Sequence, residues 1–314
     1  MTDFLARAIE LAERGRGTTH PNPVVGAVVV KDGTIVGEGW HERKGSAHAE
    51  TIALEAAGGR ARGAVLYVSL EPCRSWGTTS PCTEAVLEAG ITRVVAAALD
   101  PNPEAGGGLE DLRAAGIDVE HANLFEARGQ NEAWRTWVSR QRPFVTYKAA
   151  MTLDGRLTVP GERWVSGRES RQLVHELRAQ IDAVGVGMGT VRADAPTLTA
   201  RDVDIVRQPR RLAFGAGPLP PESDLELRSG PLGEELAQLA EEGVQSLLLE
   251  GGPTIAAAFL REGLLDKMLV FVAPTIAGEG PRLFEGIAPA TRLTRLRVRP
   301  VGEDVLLSAY VNEP

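Results

Sequence analysis

The sequence predicts an α/β chain built as two successive domains, and three observations carry that prediction. Helical stripes and strand-length apolar runs alternate along most of the chain, the pattern that lays helices on the faces of a sheet. The chain has 314 residues, more than a single core of ordinary size requires. The alternation is broken at Gln141-Arg142-Pro143, where proline ends a helix and a new strand begins. The boundary is therefore expected between about Ser139 and Pro143, giving domains of residues 1–142 and 143–314.

Each element has its own signal. Phe4, Leu5, Ala8, Ile9, Leu11 and Ala12 form a helical stripe behind the capping candidates Thr2 and Asp3. Val24 to Val30 reads as a buried strand, and Lys31-Asp32-Gly33 turns it into a second strand, Thr34 to Trp40. A helix over about Ala47 to Ala57 and a strand over Ala64 to Leu70 follow. Pro81 and Cys82 open a helix running to Glu88, followed by a strand from Arg93 to Leu99. These make a three-layer unit with a mixed sheet, closed by a helix from about Leu124 to Arg140. The second half continues with a strand from Phe144 to Ala150, a helix from Glu169 to Gln180 and a strand from Asp182 to Gly187. Helix Leu232 to Glu242, strand Val244 to Glu250, helix Thr254 to Glu262 and strand Leu265 to Val272 come next. A closing hairpin is expected over Leu293 to Val311.

Bulk properties narrow the class of function. A formal net charge of -8 argues against a general nucleic-acid binder, although a small anionic substrate could still sit in a local basic pocket. Apolar runs such as Val24 to Val30 are too short to span a bilayer, and no basic-then-apolar leader is visible, so a cytoplasmic location is expected. Lysine is scarce beside arginine: Lys31, Lys44, Lys148 and Lys267 are the only ones.

The two cysteines point to a metal rather than a disulfide. His48 opens a helix in His48-Ala49-Glu50, Cys73 follows a strand through Glu71-Pro72, and Cys82 stands at a helix start, where the dipole favours thiolate. One imidazole and two thiolates leave a fourth tetrahedral position for water, the arrangement of a catalytic zinc. Glu50 can approach that water without being a ligand, and His-x-Glu with Pro-Cys and a second Cys is the general pattern of zinc deaminases. Zinc would make the water a nucleophile near neutral pH, while Glu50 moves its proton to the ring nitrogen and helps ammonia leave. The spacing is unusual, because eight residues separate Cys73 from Cys82 where two are common.

In the second half, Gly251-Gly252-Pro253-Thr254 lies between a strand and a helix, where glycines admit a phosphate to a helix N-terminus, although a packing turn reads equally well. Gly185-Val186-Gly187-Met188-Gly189-Thr190 follows a strand without matching a Rossmann fingerprint. Lys148 sits inside an apolar strand, where an unpaired lysine would be costly.

The long inter-cysteine loop resembles the bifunctional riboflavin-biosynthesis deaminase/reductase family. Agreement extends through His20 to Ala27, His48-Ala49-Glu50, Asp100-Pro101-Asn102-Pro103, Lys148, Thr152 to Arg156, Trp164, Gly189 to Pro196, Glu250 to Thr254 and Leu265-Asp266. The resemblance implies a cytidine-deaminase-like α/β/α zinc domain followed by a dihydrofolate-reductase-like α/β domain. It implies deamination of a diamino-ribosylamino-pyrimidinone 5′-phosphate, then reduction of the ribosyl group to ribityl by NADPH. By the same resemblance, Asn22 and His41 contact the pyrimidine. Ala150, Trp164, Thr190, Asp194, Gly252, Pro253 and Thr254 meet the cofactor, and Lys148, Arg178, Leu198, Arg201 and Glu250 meet the reductase substrate. Small phosphorylated pyrimidines, Zn2+, NADPH and a homo-oligomer are the expected partners, with no nucleic acid and no membrane.

The chain also departs from that family's pattern. Ser75 stands for a histidine, Thr78 for a cation, Glu162 for a serine and Gly215-Ala216 for the Asp-Ser after the strand Arg211 to Phe214, and the stretch from Gly217 to Leu232 is short. A reductase with an impaired or retargeted deaminase domain therefore stands as an alternative. A nucleic-acid-editing deaminase is disfavoured by charge and by the second domain; a non-catalytic zinc module leaves Glu50 without a purpose.

Overall fold

The computed structural model describes residues 3–76, 80–205, 207–284, 287 and 289–314. Thr2 and Thr78, singled out from the sequence, lie outside the described residues. Contacts divide the chain into two compact units, Met1–Arg140 and Gln141–Glu313.

In the first unit, α1 (Asp3–Ala12) leads to β1 (Gly26–Lys31), β2 (Thr34–Trp40), α2 (Ala49–Ala57), β3 (Val65–Val68), α3 (Cys82–Glu88) and β4 (Arg93–Ala96). Then come α4 (Gly108–Ala114), β5 (Asp118–His121), α5 (Phe125–Gln130) and α6 (Glu132–Arg140). The sheet order is β2-β1-β3-β4-β5. β1 runs antiparallel to β2 and β3, whereas β3, β4 and β5 are parallel, so the sheet is mixed. Alternation along β1 builds both faces. Ala27 and Val29 pack with Ala53, Val86 and Leu112 of α2, α3 and α4, while Val28 and Val30 pack with Ala8 and Leu11 of α1. The result is three layers.

Two differences from the sequence reading have physical causes. α4 and β5 carry no long periodic signal: one is a single short helix after a glycine run, the other a largely exposed edge strand. The helix expected from Leu124 to Arg140 is two, divided at Asn131. Its side chain accepts from Val24 N at 2.9 Å and donates to Val24 O at 2.9 Å, substituting for a strand neighbour and leaving the helical path.

The second unit contains β6 (Phe144–Thr152), α7 (Arg168–Gln180), β7 (Ala183–Gly187), α8 (Met188–Asp194), β8 (Arg210–Phe214), β9 (Glu226–Arg228) and α9 (Leu232–Glu241). β10 (Ser246–Leu249), α10 (Pro253–Arg261), β11 (Lys267–Ala273), β12 (Thr294–Val301) and β13 (Asp304–Tyr310) complete it. The sheet order is β12-β13-β11-β6-β10-β7-β8-β9. The six strands from β11 to β9 are parallel, and the hairpin β12–β13 is added antiparallel at one edge. Buried runs such as Ala183 to Gly187 suit strands covered on both faces.

α8 and β9 were not separate elements in the sequence reading. α8 buries only Met188 and Val191, too few for a stripe. The short stretch after Gly217 keeps a three-residue strand, β9, tied to its neighbour by Arg210–Glu226 at 2.7 Å. No helix of the described residues is long and apolar enough to cross a membrane.

Candidate active sites

His48 is the N-cap of α2, and Cys82 is the first residue of α3. Close packing sets the height of α2 over the sheet. A Cβ at Gly39 of β2 would meet Ala49 O at 2.5 Å, so glycine there lets the start of α2 rest on strand backbone. Cys73 is fixed through Glu71. This buried carboxylate accepts from Asp100 N at 3.0 Å and Leu109 N at 3.0 Å, bolting the Glu71-Pro72-Cys73 loop to the ends of β4 and α4.

These anchors bring three soft ligand atoms together. His48 Nδ1 lies 3.1 Å from Cys82 Sγ and 3.5 Å from Cys73 Sγ, and the sulfurs are 3.4 Å apart. Tetrahedral zinc, with sulfur at about 2.3 Å and nitrogen at about 2.0 Å, places such atoms roughly 3.5 to 3.8 Å apart. The trio fits that ion with slight expansion. Hydrogen bonding with Cys82 holds the Cys73 thiol down, at about 4, and the same bond pushes Cys82 up. Two thiols this close resist joint ionisation unless a cation lies between them.

Glu50 is 3% exposed, and burial raises its carboxyl to about 7. A carboxyl poised near neutrality both accepts and returns a proton. His41 Nδ1 donates to Ala47 O at 3.1 Å, which leaves Nε2 to face Asn22 Nδ2 at 3.4 Å. Burial keeps His41 below the usual histidine value, hence neutral. Asn22, His41, His48, Glu50 and Cys73 line one cavity of about 390 Å³, together with Ser75 and Lys44.

In the second unit the sites gather at the carboxyl ends of the parallel strands, the usual place for ligands in such sheets. Glu250, just after β10, accepts from Arg178 Nε at 2.6 Å and Nη2 at 2.9 Å. Lys148 Nζ of β6 stands 4.0 Å from Glu250. Burial alone would raise Glu250, but the Arg178 hydrogen bonds and Lys148 hold it below the usual range. Burial lowers Lys148 despite Glu250. The segment carrying Leu198 and Arg201 leans on α7: Arg178 donates to Thr199 O at 3.0 Å, and Arg201 N donates to His175 Nδ1 at 3.2 Å.

Gly252 is the N-cap of α10 and Gly187 the N-cap of α8. A Cβ at Gly251 would meet Ile255 Cγ2 at 2.1 Å, and one at Gly252 would stand 4.0 Å from Thr190 Oγ1. Two helix N-termini and bare glycine backbone make a cradle that suits the phosphates of a dinucleotide. Pro253 and Thr254 begin α10, with Thr254 exposed. Trp164 lies elsewhere, flanked by Arg163 and Arg171 at 4.9 and 5.4 Å from its ring, in a cavity shared with Glu162. Ala150 packs against Val174, Phe271 and Leu306, and Asp194 is exposed at the end of α8.

Comparison with known proteins follows the same division. Residues 1–98 match the cytidine and deoxycytidylate deaminase zinc-binding region, and residues 143–307 match the RibD C-terminal domain. The riboflavin biosynthesis protein RibD of Aquifex aeolicus is 41% identical, with 97% of each chain covered. The chain belongs to the RibD family. The Escherichia coli RibD is 37% identical over 97% of each chain. The solved Acinetobacter baumannii RibD covers 98% of each chain at 36% identity, with a TM-score of 0.85. A Thermotoga maritima diaminohydroxyphosphoribosylaminopyrimidine deaminase/5-amino-6-(5-phosphoribosylamino)uracil reductase aligns at 34% identity, covering 98% of this chain and 97% of that one, with a TM-score of 0.81. Like its relatives, this RibD-family chain is a bifunctional deaminase/reductase of riboflavin biosynthesis, with a zinc-binding deaminase region and an NADPH-dependent reductase domain.

Sequence reasoning gave no role to Glu71 or His175. Glu71 had a signal, its place beside Pro72-Cys73; His175 had only its position one helical turn before Arg178.

Proposed function

We propose that residues 1–142 deaminate 2,5-diamino-6-ribosylamino-4(3H)-pyrimidinone 5′-phosphate and that residues 143–314 reduce the product's ribosyl group to ribityl. The observation that carries the first half is the convergence of His48, Cys73 and Cys82 beside buried Glu50. His48 Nδ1 and the two thiolates would hold zinc. When bound, zinc supplies Lewis acidity that ionises water near neutral pH. Glu50 takes the proton of the attacking water, gives it to the ring nitrogen and assists departure of the amino group. Water adds and ammonia leaves, with no change of oxidation state. Asn22 and neutral His41 orient the ring through paired donor and acceptor sites.

For the reductase, Gly252, Pro253, Thr254 and Thr190 would hold the cofactor phosphates, with Ala150, Trp164 and Asp194 along the rest of the cofactor. Bound NADPH supplies a hydride to the ribosyl carbon. Lys148, Arg178, Leu198, Arg201 and Glu250 bind the substrate, and a buried Lys148 with a lowered pKa can release a proton at Nζ. The net charge of -8 supports small-molecule substrates rather than nucleic acid, in a cytoplasmic enzyme. Edge strand β12 exposes Leu296 at 65% and Val298 at 61%, which favours a homo-oligomer.

The test is to incubate purified protein with the diaminopyrimidinone phosphate and follow ammonia and NADPH separately. Ammonia release followed by NADPH oxidation is expected. Absence of ammonia overturns the deaminase assignment, and ammonia without NADPH oxidation overturns the reductase assignment.

A further inference from the structure

The deaminase cavity is acidic. Among the described residues its lining includes the carboxyl groups of Glu50, Glu71 and Asp100, and Lys44 is the one lysine or arginine on its wall. Glu71 is engaged with two backbone amides, and burial raises Asp100 to about 6. A phosphorylated substrate entering this space meets more negative than positive charge unless a cation faces its phosphate.

Lys44 has the position and the freedom to do so. It lies in the turn Arg43–Ser46, which is closed by Ser46 N donating to Arg43 O at 3.1 Å, and its own N–H donates to Thr18 O at 3.2 Å. Its backbone is thus fixed at the cavity wall. Its ammonium has no hydrogen-bond or ion-pair partner among the described residues. The other three lysines are engaged: Lys31 donates to Arg62 O at 2.9 Å, Lys148 pairs with Glu250, and Lys267 lies over the Tyr310 ring. An exposed lysine without a partner is ordinary on a surface; one on the wall of an otherwise anionic cavity is not.

We infer that Lys44 binds the 5′-phosphate of the deaminase substrate, making the first step selective for nucleotide over nucleoside. This rests on the deaminase assignment above. An ammonium–phosphate contact is charge-assisted, and its attraction falls as salt rises.

The experiment measures ammonia release from the diaminopyrimidinone nucleotide and from its dephosphorylated nucleoside, with wild type, Lys44→Ala and Lys44→Arg. Zinc content is measured alongside to show that the site is intact. Lys44→Ala is expected to raise KM for the nucleotide roughly ten- to a hundredfold, with kcat changed by less than about twofold. It should leave kcat/KM for the nucleoside as it was, and Lys44→Arg should recover most of the loss. Inorganic phosphate should inhibit wild-type deamination of the nucleoside and lose that effect in Lys44→Ala. Equal losses on nucleotide and nucleoside, or no loss on either, overturn the role of Lys44. A wild-type protein that releases ammonia from neither compound overturns the deaminase assignment and this proposal with it.

Discussion

The two units assemble their chemistry in opposite ways. In the first, the candidate groups fall between Asn22 and Cys82, and three of them meet within 4.8 Å. In the second they extend from Lys148 to Thr254 and lie along several parallel strand ends. A metal forces its ligands to one point, whereas a dinucleotide and its substrate are long and need contacts spread along a sheet edge. The electrostatics differ as well. Cys73 and Cys82 press against each other and call for a cation, while Arg178 and Glu250 already neutralise one another at 2.6 Å. One site depends on its ion for balance; in the other the carboxylate already faces cations of the protein itself, Arg178 and Lys148.

That contrast can be broken at either end, and the largest effect is expected at the metal. Cys73→Ser or Cys82→Ser should remove zinc and lower deamination by more than about a thousandfold, while NADPH oxidation with the deaminated substrate persists. Full zinc occupancy in both variants would show that these residues are not the ligands. The next effect lies in the ion pair. Arg178→Ala leaves a buried carboxylate without its bidentate partner and should cost about 3 to 5 kcal/mol of stability in the second unit. Denaturant melts should show this together with loss of reductase activity; an unchanged midpoint would mean that Glu250 finds another partner or takes a proton.

A smaller effect tests the glycine cradle. Gly251→Ala drives a methyl against Ile255 Cγ2, so NADPH affinity measured by fluorescence titration should fall, by roughly tenfold, with zinc content unchanged. Equal affinity would place the cofactor phosphates elsewhere. The smallest effect is in pH dependence. Glu250 has a folded pKa below its ordinary value, so its stabilising contribution is complete above the unfolded value and is lost as pH falls through the folded one. The melting-temperature gap between wild type and Glu250→Gln should therefore hold from about pH 7 down to the ordinary carboxylate range and narrow as pH falls below it. A gap that widens on acidification contradicts the sign of the shift.

The same contrast explains what the sequence made legible. Histidine and cysteine are rare in this chain, so His48, Glu50, Cys73 and Cys82 stand out, three of them at the start of a helix and Cys73 in the loop after β3. The long strands and amphipathic helices were also readable, because burial imposes a period. α4, β5, α8 and β9 were not: each is short, and β5 and β9 lie at sheet edges where one side needs no apolar partner. Asn131 was hidden for another reason, since it divides a helix by pairing with Val24, more than a hundred residues away. In the second unit, arginine and glycine are too common to mark a site. Arg178 and Gly252 gain meaning only beside Glu250 and Thr190. Trp164 and Ala150, known from resemblance alone, carry no signal of their own: one lines a separate cavity and the other packs against Val174, Phe271 and Leu306.

In the proposed function two chemistries act in sequence, the first through Glu50 and the second without it. That division is tested most directly by Glu50→Gln, assayed with the diaminopyrimidinone phosphate and with its deaminated product. With the first compound, the variant should retain zinc yet neither release ammonia nor oxidise NADPH. With the second, it should oxidise NADPH at close to the wild-type rate. Ammonia release by the variant, or its failure to oxidise NADPH with the deaminated compound, would contradict the account.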